Sequence, residues 1–140
     1  MTVRDHNLES VAEVFATFKV KQTAGVDDLT DAHLGKAVIL TASNEIGPGT
    51  DNSILLGKLI DLTQSDGNNG ERLATVQIGG VCTLPMTTTN PVVSNRVVCG
   101  ASGTVKQAPA LVGNDPAGGN VARGTVLAVN GTTECTILLN

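Results

Sequence analysis

The chain has 140 residues and a formal net charge of −4, which is enough length for one domain with a buried core and too little for two. With 41% apolar and 16% charged residues it reads as globular, no apolar run reaches membrane-spanning length, and the acidic balance lacks the basic footprint that a nucleic-acid partner demands. Phe15 and Phe18 are the only aromatic residues, so the core has to be aliphatic, and the stacking platforms of sugar-binding modules and single-strand binders are nearly missing.

The polar start, Met1 to Asn7, has no hydrophobic segment followed by a cleavage site, which predicts no secretory signal and synthesis in a cytosol. Residues 1 to about 12 read as an extended arm. From Val14 to Gln22 a first strand is expected, because Phe18 and Val20 alternate with Lys19 and Lys21, and Gly25 supplies the turn after it. The helical stripe Leu8, Val11, Phe15, Phe18 is the competing pattern. Asp27, Asp28, Thr30 and Asp31 form a polar loop able to cap one short helical turn through Ala32, His33 and Leu34. These acids lack the spacing of an EF-hand, with its central Gly and terminal Glu, so a solvated cap is preferred to a metal site.

Three segments, 35–41, 57–63 and 124–130, each place a glycine shortly before an aliphatic run that ends in a polar turn residue. They predict recurring strand starts within one sheet system, at a period too irregular for a solenoid. Between the first two, residues 43–53 read as a loop in which Gly47-Pro48-Gly49 forces a turn. Residues 64–70 carry the Asp66-Gly67 and Asn69-Gly70 turn signals and should join two hairpin strands.

The stretch Arg72 to Pro85 reads as two strand arms hinged on Gly79-Gly80. Val76 and Ile78 share one face of the first arm, which should look into a core. The glycine pair marks a bulge, a bend or a close backbone approach, and Pro85 should end the strand or leave it as an edge. A Thr-rich linker, 86–91, leads to a strand region at 92–99. Gly100 to Gly103 turns into a short strand at 104–108, and 109–120 reads as an exposed, mobile loop. The chain closes with runs 121–129 and 134–139 around Asn130-Gly131, the strongest hairpin signal present. Asn130-Gly131-Thr132 also matches a glycosylation sequon, for which the turn is the simpler reading. Short strands, glycine-rich turns and no long helix predict an all-β fold: one small barrel-like or sandwich-like domain of short antiparallel strands with an extended N-terminal arm. Residues 1–22 are assigned to the arm and first strand, and 23–140 to the barrel-like domain.

Chemistry is sparse. His6 and His33 fit no metalloprotease spacing, and Cys82, Cys99 and Cys135 contain no Cys-x-x-Cys pair, so reduced thiols packed as small apolar groups are expected in the strands. One disulfide remains an alternative. No catalytic residue, cofactor or metal is assigned.

Four segments taken together carry a resemblance: Leu55 to Ile60, Val76 to Pro85, Asn95 to Ala108 and Arg123 to Val129. In that order the chain, over about residues 35–139, resembles the capsid decoration or cement proteins of tailed bacteriophages. In that family a Leu-Val-Gly-Lys strand precedes a Gly-Val-x-x-Leu-Pro strand, followed by a Val-x-x-Gly-x-Val-x-x-Ala hairpin and a Gly-x-Val-Leu closing hairpin. Cys82 and Cys99 depart from the pattern, standing where apolar strand residues are expected, and the segment before Gly35 is longer than in compact members. The resemblance implies a small β-barrel-like, non-enzymatic structural protein on the outer surface of a virion. There it would bind the major capsid protein, commonly as a homotrimer, and bridge neighbouring capsid subunits. Contacts are then expected in residues 1–22 and the 43–53 loop, with Phe15 and Phe18 as anchors and Arg4, Lys19, Lys21, Glu45 and Asp51 around them. The alternatives are that both phenylalanines are core, and that the chain is a carbohydrate-binding or adhesin module.

Overall fold

In the computed structural model the described residues are 12–63, 72–110 and 122–140. They form an all-β structure with no helix longer than a single 3-10 turn, at Asp31–His33 and Ala101–Gly103. The strands are β1 (Val14–Val20), β2 (Gln22–Thr23), β3 (Val26–Asp27), β4 (Ala37–Ala42), β5 (Glu45–Pro48), β6 (Gly57–Leu62), β7 (Leu73–Pro85), β8 (Val97–Cys99), β9 (Val105–Gln107), β10 (Thr125–Asn130) and β11 (Glu134–Leu139). The arm at 1–11, the 64–71 connection and residues 111–121 lie outside the described residues, and with them most of the loop expected at 109–120.

Five strands close on themselves in the order β1-β5-β4-β6-β7, with β7 pairing back onto β1. All contacts in this ring are antiparallel except β1 with β5, where Lys19 faces Glu45 and Val20 faces Ile46. Closure follows from the length of β7, whose 13 residues serve two sheets. From Leu73 to Gly79 it runs between β1 and β6; from Gly80 to Pro85 it leaves the ring and pairs with β11, which pairs with β10. The change of partner falls on the glycine pair. Gly80 has φ +82°, a conformation that disfavours any Cβ, and a Cβ on Gly79 would come within 3.2 Å of Val14.

This geometry creates two cores. Inside the ring, Val20, Val38, Ile46, Leu59, Leu62, Ala74 and Val76 come from all five staves, with Leu29 added and Phe18 and Ile78 packed on the side. The second core fills the space between β4, the β8–β9 hairpin and the β7–β11–β10 extension. Cys82, Leu84, Val97, Cys99, Val105, Val126, Cys135 and Ile137 build it, with Ala37 and Ile39 contributed by β4. Strand β4 is therefore a shared wall, with Val38 facing one core and its two sequence neighbours facing the other, as a period of two requires.

Gln77 shows what the bend demands. It lies opposite Phe15 and Lys58, on the face turned away from the barrel core, yet is only 3% exposed. Its side-chain amide donates to the carbonyls of Gly79 and Val81, both at 3.1 Å, and so holds the backbone where the strand changes sheets.

Several sequence expectations change in detail. The 43–53 segment is not all loop: Glu45–Pro48 form β5, drawn into the ring by fully buried Ile46, and Gly49 to Leu56 make the crossing to β6. Strand structure expected over 92–99 is confined to Val97–Cys99. The Asn95 side-chain oxygen accepts from the Val92 N–H at 2.8 Å while the Asn95 N–H donates to the Val92 carbonyl, and this turn replaces the ladder and leaves Val92 and Val93 exposed. The final hairpin forms with three residues, 131–133, at its tip. The expected helical turn is the 3-10 turn Asp31–His33, where the Thr30 N–H donates to His33 Nδ1 at 3.0 Å.

Candidate interaction site

The groups with chemical potential are occupied structurally. Asp27 accepts from Gln22 at 2.9 Å, Asp28 from Thr23 at 3.1 Å, and Asp31 pairs with Arg72 at 3.2 Å, so the three acids of that loop face three different partners. Among the described residues no three His, Cys, Asp or Glu side chains converge as a metal site. The cysteines are buried in β7, β8 and β11 and none is in a disulfide. Burial pushes the Cys99 thiol up to about 12, and burial, followed by Cys82 and Glu134, pushes Cys135 up to about 12, which keeps both as neutral thiols near pH 7.

What the surface offers is apolar contact. The outward face of β1, β7 and β6 follows from the register: Phe15 with Gln77 and Lys58, Thr17 with Thr75 and Asp61, Lys19 with Leu73. Phe15 is 47% exposed there, Leu73 is similarly open, and Ile60 sits exposed at a register shift between Leu59 and Asp61. Each of these three strands is paired on both sides within the closed ring.

The residues singled out in the sequence are distributed as follows. Phe15 and Phe18 share β1 but point oppositely, Phe15 outward and Phe18 against the barrel core. Lys19 lies on the outward face and is the Cα partner of Glu45 across the parallel β1–β5 contact. Lys21 follows β1, its N–H donating to the Ile46 carbonyl. Glu45 accepts from the Thr41 hydroxyl at 2.7 Å. Asp51 stands apart, paired with Lys106 at 2.7 Å. Arg4 lies outside the described residues. The ring thus brings Phe15, Lys19 and Glu45 onto neighbouring strands.

A second feature is an open groove of about 530 Å³ between β4 and the 52–56 segment. Leu40 and Ile54, 53% and 58% exposed, stand among its lining with Ile39 and Leu56. Arg123 also lines it. The guanidinium donates to the carbonyls of Leu55, at 3.1 Å, Leu56 and Ile78, and burial lowers its pKa from the ordinary arginine value, with Cys82 acting in the opposite sense. These bonds tie the 52–56 crossing to the bend of β7. The backbone around Arg123 is fixed by reciprocal bonds with Val97 and by Gly124, whose φ of +72° redirects the chain into β10.

Arg123, Leu40 and Ile54 are not among the contacts expected from the sequence. Two signals were present: an arginine directly before a glycine at a strand start, and Ile54-Leu55-Leu56, one aliphatic more than the start of β6 can bury. Compared with family models, curated proteins and solved structures, the chain finds no match in any of the three.

Proposed function

We propose that this all-β barrel protein is a structural virion component that binds the outer surface of a tailed-phage capsid and stabilises it by bridging neighbouring major capsid proteins, working as a homotrimer. The observation that carries this reading is the outward wall of β1, β7 and β6, each paired on both sides within the ring, on which Phe15, Leu73 and Ile60 stand exposed alongside Lys19 and Lys58. A closed ring with apolar residues on an outer wall suits persistent protein contact, because little conformational freedom remains to be lost on docking. The order of the four motif segments along the chain supports the same reading. Modest affinity per subunit suffices, since a trimer engaging several capsid sites gains avidity through effective concentration.

The test is co-sedimentation of the purified protein with undecorated, expanded shells of the source phage, with light scattering to establish its own assembly state. Saturable binding at fixed stoichiometry is expected, weakened at least about tenfold by Phe15→Glu. An arm contribution is tested by removing residues 1–11 only, because a deletion through residue 22 also removes a stave of the barrel. Absence of binding to those shells refutes the proposal and directs attention to glycan arrays.

A further inference from the structure

The groove beside β4 is lined by a cation, Arg123, that no carboxylate among the described residues neutralises. Arg123 is half-buried, and among the described residues no carboxylate lies within ion-pair distance of it, on a protein whose net charge is −4. Its hydrogen bonds go to three backbone carbonyls through its two terminal nitrogens, and Nε–H takes part in none of them. Those bonds hold the guanidinium in place, so an incoming anion meets a donor that has little rotamer freedom left to lose. Around it the walls are mostly aliphatic, with Asn52 and Ser53 as the polar members, and the exposed Leu40 and Ile54 flank an open cleft rather than a closed cavity. An open cleft of this size suits an extended chain running through it.

We propose that this groove docks an extended segment of the major capsid protein in which an Asp or Glu lies between aliphatic residues, the carboxylate meeting Arg123 and the aliphatic neighbours covering Leu40 and Ile54. This rests on the capsid-binding reading above. Charge complementarity selects the occupant: a purely apolar segment desolvates the cation further and adds no partner to the three carbonyls it already has, and a basic one adds repulsion. Bulk phosphates of nucleic acid are poorly matched, because a single recessed cation offers none of the repeated phosphate contacts such binding uses. The groove and the Phe15 wall then give one subunit two contacts of different chemistry.

Binding isotherms on undecorated shells, measured by co-sedimentation with the full chain, test the groove through Ile54→Glu and Ile54→Lys. Ile54 is more than half exposed, so both variants should retain the native circular dichroism spectrum and melting temperature. Both remove the same apolar contact, but only the glutamate repels an acidic occupant, so Ile54→Glu should weaken binding about tenfold or more and Ile54→Lys no more than about threefold. Equal weakening by both variants, or none by either, overturns the groove proposal while wild-type binding keeps the capsid reading intact. If the wild-type chain itself fails to bind shells, both fall together.

Discussion

At the scale of single residues, identical side chains act for different physical reasons. A Cβ on Gly57 would lie 2.0 Å from the Gln77 carbonyl oxygen, so Gly57 is required by the close approach of β6 to β7. Gly131 has open space around it and φ +60°, so an alanine there meets only the left-handed backbone penalty. Urea unfolding should therefore show Gly57→Ala losing about 3 kcal/mol or failing to fold, against about 1 kcal/mol for Gly131→Ala. The buried thiols add a pH dependence. Cys99 and Cys135 hold their protons more tightly in the fold, up to about 12 against an ordinary 9.0, so above pH 9.0 the unfolded chain has lost protons that the native state keeps. Their contribution is whole below that value and declines as pH rises toward 12. Unfolding midpoints should stay level from neutral pH to about pH 8 and then fall, with a shallower fall in Cys99→Ala than in the parent. The glycine positions were legible as strand starts and turns, whereas the separation between a conformational glycine and a contact glycine was not, because it depends on what the opposite strand brings near.

At the scale of elements, β7 organises the molecule. Its alternation, the Gly79-Gly80 break and the stop at Pro85 were all readable, since each is a local consequence of side-chain period or of a missing Cβ or N–H. That one strand would be shared between a ring and an extension was not readable, because strand pairing is decided by distant segments. Hydrogen exchange should find the slowest amides in the middle of β7 and in β11, which are flanked on both sides, and faster exchange in β10, at the sheet edge, and in the β2–β3 hairpin. Replacing Gly80 by alanine should cost about 1–2 kcal/mol through its φ of +82°. A native-like stability for that variant would show that the bend can be made without the left-handed residue. The 92–96 segment illustrates the opposite failure of local reading: its valines look like a strand, but the Asn95 turn satisfies the backbone first.

At the scale of the whole molecule, the two cores share β4 and β7 and should melt as one. Val76 is fully buried in the ring and Leu84 in the second core. Val76→Ala and Leu84→Ala should each lower a single unfolding transition, by about 2 and about 3 kcal/mol respectively. Two separated transitions in either variant would show that the ring and the extension are independent units. With no Trp or Tyr in the chain, circular dichroism is the suitable probe.

The sequence by itself determined the all-β class, most strand positions, the closing hairpin and the aliphatic, thiol-containing core. These follow from residue period, turn chemistry and composition, all of which act over a few neighbouring residues. Tertiary structure alone decided the closure of the ring, the parallel β1–β5 contact and the recruitment of residues 45–48 as a stave. It also set Phe15 and Phe18 on opposite faces and placed Arg123 against the carbonyls of Leu55, Leu56 and Ile78. Each of those outcomes joins backbone groups far apart in sequence, where the satisfaction of buried hydrogen bonds and the filling of two cores outweigh any local preference.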